Sequence, residues 1–132
     1  MMKKTIFGLS LAVLGLGLGL GAALAQQPAI KRTVLNKTDF PDGYTIVQAM
    51  AEVAAGGAAG RHTHPGVETA YILEGEAELI VEGQPDRHLK AGDSFQIPAG
   101  VVHDAKVHGD KGLKVLGVYV VDKTKPLASP AP

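Results

Sequence analysis

The chain has 132 residues, 13 Lys and Arg against 13 Asp and Glu, 17 glycines, 8 prolines and no cysteine. The basic residues are scattered, which argues against the clustered footprint of a nucleic-acid binder. The missing thiols exclude disulfides, thiolate catalysis and thiolate-ligated metals.

At the N-terminus Lys3 and Lys4 precede an uncharged run, Ile6 to Leu20, that ends in Ala23-Leu24-Ala25. This is the pattern of a secretory signal peptide over residues 1–25, cleaved after Ala25. The apolar run is shorter than the ~20 residues that span a bilayer. The reading is therefore an exported protein, periplasmic or secreted, with no membrane association once the leader is removed. Gly15 to Gly21 alternates Gly with Leu, but no strand-helix unit surrounds it, so it is not a dinucleotide loop.

Beyond Ala25 lie 107 residues carrying 11 basic and 13 acidic groups, enough for one packed domain. Residues 26–33 read as a loose leader and residues 34–122 as the folded domain. The Pro-rich segment 123–132, with Pro126, Pro130 and Pro132, reads as a disordered tail.

Within the domain the apolar pattern predicts short strands at Tyr44 to Ala54, Glu68 to Leu73, Glu76 to Glu82, Ser94 to Ile97 and Leu113 to Val121. Turn signals such as Pro41-Asp42-Gly43, Glu74-Gly75, Ala91-Gly92-Asp93 and Pro98-Ala99-Gly100 recur roughly every eight to twelve residues, the rhythm of a sandwich or barrel. In the strand at 76–81, Ala77, Leu79 and Val81 share one face while Glu76 and Glu78 share the other. That alternation gives one dry and one wet side, and an all-β, antiparallel domain.

Side chains two apart on a strand point the same way, so His62 and His64 can share one ion. Glu68 follows on a strand face shared with Ala70 and Ile72, where an inward carboxylate is costly unless a positive charge meets it. His103 lies 35 residues further on, and only the fold can bring it to the same place. Taken alone, a His-x-His pair is more often a solvated or structural pair than a metal site. His88 and His108 read as surface or loop residues, Arg61 as solvated, and Glu74, Glu76, Glu78 and Glu82 as a wet sheet face. Met50, Phe95, Ile97, Val102 and Tyr119 read as barrel lining, and Gln96 could face either way.

The frame around the histidines is more specific. Gly56, five residues, His62-Thr63-His64, three residues, Glu68, six residues and Gly75 match every fixed position of the first cupin motif. Gly92, five residues, Pro98-Ala99-Gly100, two residues and His103 match the second. Gly75 and Gly92 suit turns, and Gly100 is expected to permit a close backbone approach beside His103. Val107 stands where the fullest second motif closes on asparagine, which weakens a tie to germin-type members. Over about Val34 to Asp122 the chain thus resembles small single-domain bacterial cupins.

The resemblance implies a jelly-roll β-barrel with a metal near its mouth and a homodimer as the assembly. It implies one divalent transition metal ion (iron, manganese, nickel, copper, cobalt or zinc) on His62, His64, Glu68 and His103, with positions left open. The expected function is a metal-dependent oxidoreductase of dioxygenase type on an oxygenated small molecule, with Glu68 as the catalytic group by moving off the metal. A non-catalytic binding protein for a metal or small ligand, and a metal-dependent isomerase or decarboxylase, are the alternatives.

Overall fold

The computed structural model describes residues 30–132. The signal-peptide reading and residues 26–29 of the leader lie outside them. Ten strands follow in chain order: β1 (Ile30–Phe40), β2 (Tyr44–Val53), β3 (His62–Thr63), β4 (Gly66–Glu74), β5 (Glu76–Val81), β6 (Arg87–Lys90), β7 (Ser94–Ile97), β8 (His103–His108), β9 (Leu113–Asp122) and β10 (Ser129–Pro130). They form two five-stranded sheets, β1-β2-β9-β4-β7 and β10-β3-β8-β5-β6. Every pairing is antiparallel. The all-β jelly-roll expectation holds.

Alternation of burial along β2, β4, β5 and β9 turns one face of each inward. Those faces meet in a core that includes Val53, Ile72, Leu79, Val81, Ile97 and Val115. A smaller cluster of Val47, Ala49, Tyr119 and Val121 continues it. Burying such side chains is the main favourable term in folding, at roughly 25 cal/mol for each Å² withdrawn from water.

Two expectations about the chain ends are overturned. The leader drawn at 26–33 already contains strand, because Ile30 to Val34 pair with Val53 to Ala49 and satisfy their backbone groups at the sheet edge. The tail drawn at 123–132 as disordered carries β10, whose Ser129 and Pro130 pair with Thr63 and His62. Ala131 N–H also donates to Arg61 O at 2.9 Å. Prolines do not prevent this, since β10 is an edge strand and an edge leaves one side of each backbone unpaired.

The sheet around the inward carboxylate is tight. Gly66 on β4 faces the backbone of β9, where an added Cβ would run into the Val120 carbonyl and stand 2.6 Å from Val121 Cα. Gly66→Ala should therefore lower stability by about 1–3 kcal/mol, since backbone rather than a flexible side chain must move. Urea unfolding checks this, and an unchanged midpoint would show that the β4–β9 contact is looser than described.

Candidate metal centre

Register assembles the site. His62 on β3 pairs directly with His103 at the start of β8, so the fold supplies the proximity that the sequence could not. On the other sheet, Glu68 of β4 lies between Ile97 of β7 and Tyr119 of β9. The ligand nitrogens of His62, His64 and His103 all lie within 4.8 Å of one another. Glu68 Oε2 stands 3.1 Å from His64 Nε2 and 3.2 Å from His103 Nε2. All four residues that the sequence grouped come together, each less than a tenth exposed.

The rings are aimed by the backbone. A carbonyl oxygen only accepts, so the Nδ1–H of His62 donates to Gly60 O (2.6 Å), that of His64 to Leu127 O (2.6 Å) and that of His103 to Val101 O (3.0 Å). With each proton fixed at Nδ1, the three Nε2 lone pairs face inward, as second-sphere carbonyls commonly arrange for metal-binding histidines. No proton then lies between those nitrogens and Glu68. His64 Nε2 and Glu68 Oε2 are accordingly buried without a hydrogen-bond partner. Converging lone pairs with a carboxylate repel one another unless a cation sits among them, so these residues fit a divalent ion.

Electrostatics agree. Burial lowers His62 from 6.5 to about 4 against the raising effect of the Gly60 carbonyl, so the ring is neutral near pH 7 and able to coordinate. Burial alone would raise Glu68, but positive charge beside it, at the His103 and His64 nitrogens where a cation would sit, holds it down to about 2 and keeps it ionised. Burial, and then the Glu68 charge, push the Tyr119 phenol above its ordinary range.

Two residues were missed as parts of the site. Arg32 belonged to the supposed leader, yet pairing with Ala51 turns it inward, and its guanidinium donates to His62 Nε2 at 3.1 Å. Tyr119, expected only as lining, packs edge-on against His64 with ring centroids 4.8 Å apart. Gly117 makes this possible, because a Cβ there would meet the Tyr119 ring at 2.8 Å. The Ile30-x-Arg32-x-Val34 alternation was the one sequence signal available for Arg32, and it is weak beside a leader.

A cavity of about 40 Å³ opens on the cluster, with Arg32, His62, Glu68, His103 and Tyr119 as its polar wall and side chains such as Leu79, Phe95 and Val115 as its apolar wall. His88 and His108 lie on the exposed face of β5, β6 and β8, near Glu76 and Glu78, away from the site. Gln96 is exposed and its neighbour Ile97 buried, which decides the face left open by the sequence. Gly100 is corrected: an added Cβ there would meet nothing within 4 Å, and glycine is favoured because φ is +74°. From that conformation Gly100 N–H donates to His64 O at 3.0 Å, tying the second motif to the first.

A cupin-domain family model matches residues 49–119, more than half of the chain. The chain belongs to the cupin family. Among curated relatives, this cupin is 43% identical over 47 residues to the dimethylsulfoniopropionate lyase DddQ of Ruegeria pomeroyi, covering 36% of the chain and 23% of that protein. It is 33% identical over 94 residues to the germin-like protein subfamily 2 member 2 of Arabidopsis thaliana, covering 66% of the chain and 43% of that protein. The chain spans less than half the length of these curated relatives. Among solved structures, DddQ from Ruegeria pomeroyi superposes with a TM-score of 0.67 at 26% identity, over 87% of this chain and 57% of that one. A double-stranded β-helix protein from Klebsiella pneumoniae gives 0.63 at 25% identity, over 78% and 84%. The cupin's Val107, at the asparagine position of the motif, is a core residue beside Ala77.

Because His62 is depressed in the folded state, the unfolded chain takes its proton first as pH falls. The ion-free cupin should therefore be most stable above pH 6.5, lose stability as pH falls from 6.5 towards 4, and lose more between 4.5 and 2 as Glu68 protonates. Thermal unfolding of chelator-treated protein over these ranges is the check. His62→Gln should flatten the upper part of the curve, and a wild-type Tm that is level from 6.5 to 4 would contradict the assignment.

Proposed function

We propose that this cupin is an exported metal-dependent enzyme acting on an oxygenated small molecule. The observation that carries the proposal is the cavity of about 40 Å³ whose polar wall includes His62 and His103 of the histidine cluster together with Glu68. A non-catalytic binding protein would more naturally fill its barrel or close its ion. Here His62, His64, Glu68 and His103 would hold one divalent transition metal, and its identity is left to experiment. When bound, such an ion supplies Lewis-acid polarisation of a substrate oxygen in a dry cavity.

The chain's own groups do the rest. The three imidazoles are held in place by their carbonyl partners. Glu68, ionised and buried, is the group able to move off the ion and accept a substrate proton. Tyr119 keeps its phenolic proton beside it, and the apolar wall limits water. Oxidoreductase chemistry of the dioxygenase type is our first reading, because a four-residue set leaves positions free for dioxygen and substrate. A lyase or decarboxylase reading is favoured by the likeness to DddQ.

Metal analysis of the purified protein is expected to give about one ion per chain, and much less in His62→Ala and His103→Ala. Equal content in all three would remove the site. With the loaded protein, oxygen uptake on a panel of flavonols, diketones and hydroxy acids supports the dioxygenase reading, whereas anaerobic turnover supports the lyase or decarboxylase one. No turnover under either condition would leave a binding protein.

We also propose a homodimer. The outer face of sheet β1-β2-β9-β4-β7 places Ile46, Val120 and Val67 in one cross-strand row and Met50, Leu116 and Tyr71 in another. Ile46, Val67, Tyr71 and Val120 are exposed, and a largely apolar face of this kind, with only the Gln48-Val118-Thr69 row between its two apolar rows, is suited to a second copy of itself. Light scattering should give the dimer mass for the wild type and the monomer mass for Val120→Glu. A monomeric wild type would end this proposal.

A further inference from the structure

Arg32 is the one cation on the cavity wall, and the described structure does not satisfy it. Its Nε is buried with no hydrogen-bond partner, and one terminal nitrogen rests on His62 Nε2 at 3.1 Å. That lone pair is the one His62 would give to an ion. Once it is given, the guanidinium keeps only the Tyr119 hydroxyl beside it, in a cavity whose other lining, apart from Glu68 and His103, is apolar.

Charge points the same way. A divalent ion with one carboxylate and three neutral imidazoles carries a net positive charge, and Arg32 adds another. Glu68 is the only acidic side chain on the cavity wall. A planar guanidinium with unpaired N–H groups is the side chain best shaped to receive a carboxylate. Volume limits the rest of the molecule, since about 40 Å³ holds about three water-sized groups.

We propose that Arg32 is the anchor for a substrate carboxylate, and that this cupin acts on small carboxylates whose head group is received by the guanidinium beside the three-histidine cluster. Phe95 and Leu79 face the short apolar remainder. This deepens the metal-enzyme reading and rests on it. Arg32 comes from β1, outside both motifs, so the anchor is a feature of this chain's N-terminal strand.

The test uses the full-length mature protein loaded with Co(II), with acetate and its neutral isostere acetamide as probes. Cobalt content reports on the metal reading, and the shift of the cobalt absorption bands on titration reports on the anchor. Acetate should bind the wild type and acetamide should not. Arg32→Gln should keep its cobalt but bind acetate about tenfold to hundredfold more weakly, the loss usual for a hydrogen bond to a charged group. Equal acetate affinity in Arg32→Gln, or acetamide binding as well as acetate in the wild type, would overturn the proposal. The second comparison needs no variant, so it can overturn the proposal even where Arg32→Gln does not fold. A wild type without cobalt would instead defeat the metal reading, and calorimetry of acetate with the ion-free wild type and Arg32→Gln would then judge the anchor separately.

Discussion

Three hydrogen bonds from imidazole Nδ1 to backbone carbonyls impose the constraint around which this molecule is organised. Their acceptors come from three separate places: the loop before β3 (Gly60), the turn before β8 (Val101) and the C-terminal segment (Leu127). Together they force three lone pairs and the Glu68 carboxylate to converge, an arrangement that repels itself unless a cation is present. The surroundings hold it in place. Asp104, beside the ligand His103, accepts from Gly60 N–H at 2.9 Å and from Ala105 N–H at 2.7 Å, which steadies the glycine whose carbonyl accepts the His62 hydrogen bond.

The site also lies where the two sheets meet. One sheet contributes His62 and His103, the other contributes Glu68, Tyr119 and Arg32, and His64 lies in the link between β3 and β4. An ion shared between them would join both sheets at the mouth of the barrel, so folding and metal affinity are expected to be coupled. The same junction explains the mixed character of the cavity. Inward-facing apolar positions of β2, β5 and β9 build most of the wall, and the few polar groups are those that alternation and register turn towards the cluster.

The histidines of the wet face show how much context decides. His88 Nε2 lies 3.1 Å from Glu76 Oε2, a distance equal to that between His64 and Glu68, but both side chains are more than half exposed. Water solvates either charge state there, and such a pair is worth little. In the interior the same two chemical groups have no water to fall back on, and only a cation or a proton satisfies them.

By itself the sequence determined β2, β4, β5, β7 and β9 and, through the motif resemblance, grouped His62, His64, Glu68 and His103. Those features are local: alternation fixes which way Glu68 points, and fixed glycine and proline spacings frame each histidine. Tertiary structure decided what depends on distant partners. The pairing of β3 with β8 set His62 against His103, the pairing of β1 with β2 turned Arg32 inward, and Gly117 opened the space for the Tyr119 ring. The C-terminal segment looked structureless because its prolines and small residues carry no periodic signal. Its place comes instead from backbone hydrogen bonds to β3 and to His64, and backbone groups are the same in every residue, so no side-chain pattern could have announced them.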